Sequence, residues 1–458
     1  MGEFSRVIGS IIGPGGDRHV AIGTRAAAAT CRHKPPRGSR LYNAAHAFPE
    51  IDTPVSKLSR LERRSALTLA CVISLRLFGL FLIMPVFSLY AKTMPGATGF
   101  MIGLALGVYG LGQVLLQIPL GLLSDRIGRK PAITLGLLLF ALGGLIAAMS
   151  HTLTGIAIGR AVQGMGAVAG AGIALAADLT VEENRGKVMG IIGVSIGLAF
   201  LLALILGPPL EAIDGLPGLF AATSILALVS LALLWLIVPT PERARAPAAA
   251  GFGHVLAMLR DTRMLVLNGS VFFLHALLTA SFVGLPLLLA HTLNLPVNRH
   301  WELYLPVMVV AALVMGASLR HMREVAQSLR VVMVCVVAIG LALLGFALSG
   351  NHLIAFGVAA AVFFSAFNLL EAALPSLVSR LAPAHLRGAA MGAYSTSQFI
   401  GAFVGGTFGG IALGRLGASG IFICAAAMTL LWLPLVMAGA RRIGADIRAA
   451  AVTEAPAL

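Results

Sequence analysis

The sequence predicts an all-α membrane protein: twelve transmembrane helices in two six-helix bundles, with both termini cytoplasmic. Three observations carry this. Hydrophobic residues make up 58% of the 458-residue chain and charged residues 11%, too apolar a balance for a soluble globule. From Ala66 onward apolar runs recur, each close to the roughly 20 residues a helix needs to cross a bilayer. Lysine and arginine collect on one side of those runs.

Residues 1–62 stand apart as a basic extension rich in Arg, Gly, Pro and Ala. No run there spans a membrane, and Val7–Ile12 is too short for a signal-peptide core. An organellar transit peptide or a nucleic-acid arm would share this composition. So would a disordered cytoplasmic extension, or sequence upstream of the true start, and we read it as one of these last two. The net charge of +15 therefore marks no nucleic-acid partner for the main body.

Twelve apolar spans follow, near 67–91, 100–123, 131–150, 153–178, 187–207, 217–238, 264–290, 302–320, 330–349, 352–379, 388–413 and 418–440. A polar link, residues 241–263, divides them six and six. This sets bundles at 63–240 and 264–442 and a cytoplasmic tail at 443–458. Counting Lys and Arg gives twenty-one on one side of the spans against Lys92, Arg299 and Arg415 on the other. Positive loops stay in the cytoplasm. Cys31, Cys71, Cys335 and Cys424 lie far apart, so neither a disulfide framework nor a metal site is expected. Neither a nucleophile–base spacing nor a phosphate loop points to an enzyme, and no cofactor is implied.

The organising stretch is Gly121-Leu122-Leu123-Ser124-Asp125-Arg126-Ile127-Gly128-Arg129-Lys130, a tight polar knot between the second and third spans. Gly121 lies one helical turn before Asp125 on the same face. Gly128 permits a sharp reversal, and Pro131 suits the first turn of the next helix. Asp125 is free to pair locally or to face the positive N-terminus of another helix.

This stretch resembles the G-x-x-x-D-R-x-G-R-K signature of the major facilitator superfamily, complete over ten residues and at the right place in the hydropathy pattern. The resemblance implies a transporter with the major facilitator fold. Span four opens Arg160-Ala161-Val162-Gln163-Gly164-Met165-Gly166-Ala167, similar to the family's R-x-x-Q-G-x-G-A element, linked to proton transfer; bracing the bundle is the bland alternative for Arg160 and Gln163. The resemblance also implies that Asp178 pairs with Arg129 as a charge relay at an inner gate. Span five ends Gly207-Pro208-Pro209-Leu210-Glu211-Ala212, similar to the antiporter motif G-P-x-x-G-G, with Gly207 and Pro208 expected to kink the helix. Glu211-Ala212 departs from the closing glycine pair. The second-half counterpart of the opening motif, Gly316 to Arg323, carries Arg320 where the acid would stand.

Further polar groups fall on the first helix of each three-helix repeat: Arg76 in span one, His275 in span seven, Asn368 and Glu371 in span ten. Taken at ~1.5 Å of rise per residue, Arg76, His275 and Glu371 share one depth. Facilitator helices one, four, seven and ten line the central cavity, so Glu371 is expected to carry a proton, His275 to tune or share it, and Arg76 to stabilise the carboxylate; a purely structural role is the alternative for His275 and Glu371. Glycines four apart predict close helix contacts: Gly103 and Gly107 in span two, Gly193 and Gly197 in span five, Gly401, Gly405 and Gly409 in span eleven. The family fold pairs span two with eleven and five with eight.

The segments around Arg76, Glu371 and Met391 resemble the YajR-type branch of bacterial drug:proton antiporters over residues 65 to 440. That type carries a soluble domain after its last helix, which is not expected here. The resemblance implies a monomeric multi-pass protein of a bacterial inner membrane, its partners a small-molecule substrate, protons and the lipid bilayer. Proton-coupled efflux of an apolar or amphipathic compound is the expected function. A proton-independent facilitator or nutrient symporter, or a non-transporting receptor, are the alternatives.

Overall fold

The computed structural model describes residues 58–240, 252–318, 322, 324–383 and 386–453. The expected extension up to residue 57, the first part of the polar link, and Arg320 lie outside them. Among the described residues the chain is helix and turn, with no strand.

α1 (Arg60–Leu82) starts earlier than the apolar run because a capping box sets its first turn. Glu62 N–H donates to Ser59 Oγ at 3.1 Å while Ser59 N–H donates to Glu62 Oε2 at 2.9 Å, satisfying two orphan amides reciprocally. The expected single span 67–91 is divided. Pro85 has no N–H to give, the chain tightens through Met84 N–H to Phe81 O at 3.1 Å and Val86 N–H to Ile83 O at 3.3 Å, and a short α2 (Phe87–Thr93) follows.

α3 (Gly99–Ile127) is capped by Thr98, whose hydroxyl accepts from Met101 N–H at 3.2 Å. It ends at Gly128, whose φ of +99° favours glycine, and α4 (Arg129–Ala148) starts at once. The fourth predicted span is one crossing in two pieces, α5 (Leu153–Met165) and α6 (Ala169–Asp178). α7 (Arg185–Ile237) stays helical through Gly207, Pro208 and Pro209. Its interruption lies further on, at Asp214 (φ −140°) and Gly215 (φ +63°). That interruption falls in the gap expected between the spans 187–207 and 217–238, at a glycine that can adopt a positive φ.

Part of the polar link is ordered: α8 (Phe252–Arg260) turns Val255 and Met258 inward, 5% and 6% exposed. Asp261 then caps α9 (Thr262–Leu287), accepting from Arg263 N–H at 2.9 Å and Met264 N–H at 3.0 Å. α10 (Trp301–Ser318), α11 (Val325–Leu348), α12 (Leu353–Leu381) and α13 (Arg387–Thr453) complete the chain; α13 is interrupted at Gly417, φ +72°. Among the described residues, ten helical stretches are long and apolar enough to cross a membrane, and two of these run to 56 and 59 residues.

Bare backbone sets the packing, since helices in lipid associate by close approach at small residues. α3 lies on α13: a Cβ on Gly103 would sit 2.6 Å from Gly410 Cα, and one on Gly406 would sit 2.7 Å from Gly107 Cα. The next glycine face of α13 meets α9, where a Cβ on Gly409 would sit 2.9 Å from Ala280 Cα. Within the first bundle, Gly112 of α3 meets Gly164 of α5 at 3.0 Å. Gly193 and Gly197 differ from expectation. A Cβ on either would meet nothing within 4 Å, so α7 and α10 touch but not over these glycines.

Candidate functional site

The polar knot between α3 and α4 is a built structure. Arg129 sits at its centre: Nη1 donates to Ser124 Oγ at 2.7 Å and to Asp125 Oδ1, while Nε reaches Asp178 Oδ2 at the end of α6 at 3.2 Å. One guanidinium thereby holds two carboxylates from separate helices, using its fixed fork of donors. Lys130 turns the other way. It is 4% exposed, donates to Val238 O at 2.7 Å and lies 4.8 Å from the centre of the Trp235 ring, tying the knot to the end of α7. Arg126 is exposed, and a Cβ on Gly121 would meet nothing within 4 Å.

The close contact of α3 with α13 runs from Gly99 against Gly414 to Gly110 against Phe399. Toward the Asp125 end, a Cβ on Gly121 or on Gly388 would meet nothing within 4 Å. The close glycine contacts between α3 and α13 thus lie toward the Gly99 end and not at the knot.

A second polar cluster fills the interior of the first bundle. Arg76 (α1) donates through Nη2 to Tyr109 Oη at 2.7 Å, and Gln113 Nε2 donates to the same oxygen at 2.5 Å. Arg160 (α5) lies 4.8 Å from the centre of the Tyr109 ring, with Nη1 donating to Gln163 Oε1 at 3.1 Å. Gln163 Nε2 donates onward to Thr223 Oγ1 at 2.9 Å. Arg76 and Arg160 are each 2% exposed. The expected Arg76–Glu371 partnership is replaced: Tyr109, one helix away, occupies the guanidinium first.

The third cluster joins α9, α12 and α13. His275 Nδ1 is 3.2 Å from Val271 O. A carbonyl can only accept, so Nδ1 carries the proton. Gln398 Nε2 lies 2.7 Å from His275 Nε2. Glu371 Oε1 stands 3.5 Å from that same Nε2. It is enclosed and makes no hydrogen bond, while the Glu371 side chain as a whole is 36% exposed. The depth argument thus brings His275 and Glu371 together but not Arg76. Asn368 lies one turn before Glu371, half-buried.

Beside these groups is an aromatic cluster. Phe200 of α7 meets Phe81 of α1 at 4.9 Å, Phe364 and Phe367 of α12 at 6.2 and 6.4 Å, and Phe282 of α9 at 6.5 Å between ring centres. Gly207 packs against the divided first span, where a Cβ would sit 2.7 Å from Leu82 O. Tyr109, Gln113, Thr223 and Gln398 were not singled out in the sequence. Polar residues inside apolar runs are the signal that would have found them. Ser59-x-x-Glu62, a capping-box spacing, would have found the first helix start.

Among the described residues, the chain has ten helical stretches long and apolar enough to cross a membrane and an arginine-centred polar loop between the second and third of them. The Major Facilitator Superfamily model matches residues 69–406, and the chain belongs to that family of transporters, which are not enzymes. It is 41% identical over 382 residues to the inner membrane transport protein YajR of Escherichia coli, covering 82% of this chain and 83% of that protein. An uncharacterized transporter of Buchnera aphidicola is 33% identical, covering 75% of this chain and 89% of its own. A tetracycline resistance protein, class H, of Pasteurella multocida is 38% identical over 135 residues, 29% of this chain and 34% of that protein. Among solved structures, a bacterial homologue of the human lysosomal transporter Spinster aligns with TM-score 0.66 at 15% identity, covering 84% of this chain and 98% of the other. The nucleoside transporter NupG aligns with TM-score 0.64 at 16% identity, covering 83% and 99%. At such identities the likeness is one of fold.

Proposed function

We propose that this chain is a proton-coupled exporter of an apolar or amphipathic small molecule, working by alternating access in a bacterial inner membrane. The Asp125 knot and both termini lie on the cytoplasmic side, as the distribution of Lys and Arg supports. The crossings number twelve. A straight helix of 56 residues would run ~84 Å at 1.5 Å per residue, far beyond the ~30 Å hydrocarbon core. The breaks at Asp214–Gly215 and at Gly417 divide the two longest stretches into two crossings each.

The observation that carries the reading is the His275–Glu371 pair. An imidazole Nε2 that stands 3.5 Å from an enclosed carboxylate oxygen without a hydrogen bond is placed to share or tune a proton carried by that carboxylate. Glu371 takes that proton from outside and releases it inward when its neighbours rearrange. The Phe200 cluster supplies an apolar surface for the cargo, and Arg129 with Asp125 and Asp178 forms the inner gate.

The test uses inverted membrane vesicles energised by respiration, with collapse of the pH gradient recorded as amphipathic compounds are added from a library. Wild type dissipates the gradient with its substrates. Glu371→Gln binds them without dissipation, and His275→Ala shifts the pH dependence more than the maximal rate. A Glu371→Gln protein that dissipates the gradient like wild type refutes the assignment.

A further inference from the structure

The two arginines of the first bundle carry more positive charge than their surroundings balance. Arg76 and Arg160 are each 2% exposed, and among the described residues neither forms an ion pair with a carboxylate. Both Nε–H groups are enclosed without a hydrogen-bond partner. Guanidinium stays protonated in proteins, and a buried charge costs several kcal/mol unless paired.

Arg160 donates to Gln163 Oε1 at 3.1 Å and to Leu106 O at 3.5 Å, Arg76 faces the Phe140 ring at 5.3 Å, and the two guanidiniums share Tyr109. Its hydroxyl oxygen accepts from Arg76 at 2.7 Å and from Gln113 at 2.5 Å, and its ring faces Arg160 at 4.8 Å. The phenol offers an electron-rich oxygen on one side and a negative π face on the other. It occupies the place of an anion without supplying a formal charge.

We propose that Arg76 and Arg160 form an anion site, and that its ligand is the carboxylate of an amphipathic organic acid carried by this transporter. Arg76 Nε and Nη2 take the carboxylate, which displaces the Tyr109 hydroxyl; Arg160, held by Gln163, supplies the second charge. The apolar body of the acid lies along α1 toward Phe81, about 7.5 Å further along the helix axis at 1.5 Å per residue, and so onto the Phe200 cluster. Tyr109 is the residue before Gly110, the last close contact of α3 with α13. Separation of α3 from α13 therefore moves Tyr109 and couples occupancy of the site to the transport cycle. The inference rests on the chain being a small-molecule transporter and not on proton coupling.

The purified full chain in detergent, in a gluconate buffer with no pH gradient, is titrated with benzoate, benzamide and chloride while thermal unfolding and heat of binding are followed. Benzoate raises the melting temperature saturably, and benzamide, the neutral analogue, does not. Arg76→Gln and Arg160→Gln weaken benzoate about tenfold or more, as loss of a charge-assisted contact requires, and Arg76→Lys restores part of it. Tyr109→Phe binds benzoate more tightly, because no hydroxyl competes for Arg76. Should Arg160→Gln fail to give a monodisperse protein, Arg76→Gln and Tyr109→Phe decide the matter. Equal shifts with benzoate and benzamide, no shift at tens of millimolar benzoate, wild-type affinity in Arg76→Gln, or weaker binding in Tyr109→Phe overturns the site. Full protection by chloride with no further effect of benzoate assigns an inorganic counter-ion and overturns the carboxylate. Absence of benzoate binding to the wild-type chain with its proton-coupled transport intact refutes this inference alone; benzoate binding without proton-coupled transport refutes only the coupling.

Discussion

Replacing Gly103 with alanine tests which end of the molecule is closed and what holds it so. The new methyl carbon would stand 2.6 Å from Gly410 Cα and 2.7 Å from Gly410 N, where ordinary carbon contacts lie near ~3.5–4.0 Å. α3 and α13 must therefore separate by roughly 1 Å, and overpacking of that size costs about 1–3 kcal/mol. The cost falls only on the state in which these helices meet. Since ~1.4 kcal/mol is tenfold in population, the state closed at the Asp125 end gains by about 5- to 150-fold. Spin labels at Phe100 and Ile411, 45% and 41% exposed, report one end; labels at Ile127 and Met391, 43% and 36% exposed, report the other. Gly103→Ala lengthens the first distance and shortens the second. Gly193→Ala, whose methyl meets nothing within 4 Å, changes neither. Unchanged distances in Gly103→Ala, or equal changes in both variants, would refute the reasoning.

Other substitutions probe the knot and its supports. Asp125→Asn shifts the same equilibrium the opposite way, toward the state described here, by removing an acid that faces the N-terminal turn of α13 near Gly388–Met391 when that end closes; such an interaction contributes ~0.3–2 kcal/mol, and an unchanged Ile127–Met391 distance distribution would exclude it. Its local pair with Arg129 is partly exposed and contributes at most about 1 kcal/mol, so the melting temperature moves little. Lys130→Met removes a buried donor 2.7 Å from Val238 O and the contact with Trp235 at 4.8 Å, lowering stability by about 1–3 kcal/mol in thermal unfolding. Glu62→Ala removes the acceptor of Ser59 N–H and, at 3.1 Å, of Val181 N–H; it costs a similar ~1–3 kcal/mol and exposes the start of α1 to proteolysis, whereas Glu62→Gln costs less.

The spacing of apolar runs determined where helices cross, because a bilayer demands about 20 apolar residues with all backbone groups bonded internally. The ten-residue knot determined the family, since its Gly128 reversal and its charges are local properties of the chain. Glycines four apart in α3 and α13 signalled a close contact, but the same spacing at Gly193 and Gly197 did not produce one. A small residue only permits approach, and the facing element decides whether it happens.

Partners of the intramembrane charges were the least legible part. His275 and Glu371 share a depth and meet, while Arg76 shares it and turns to Tyr109 instead. Depth along a helix follows from residue number at 1.5 Å each, whereas azimuth depends on how each bundle is wound. Composition and local spacing thus determined membrane class, approximate helix positions and the polar loop between α3 and α4, all of which arise within one or two neighbouring segments. Tertiary structure alone decided that Tyr109 links two arginines, that Gln398 reaches His275, and that α3 meets α13 between Gly99 and Gly110, because those contacts join residues far apart in sequence whose meeting depends on the packing of every helix between them.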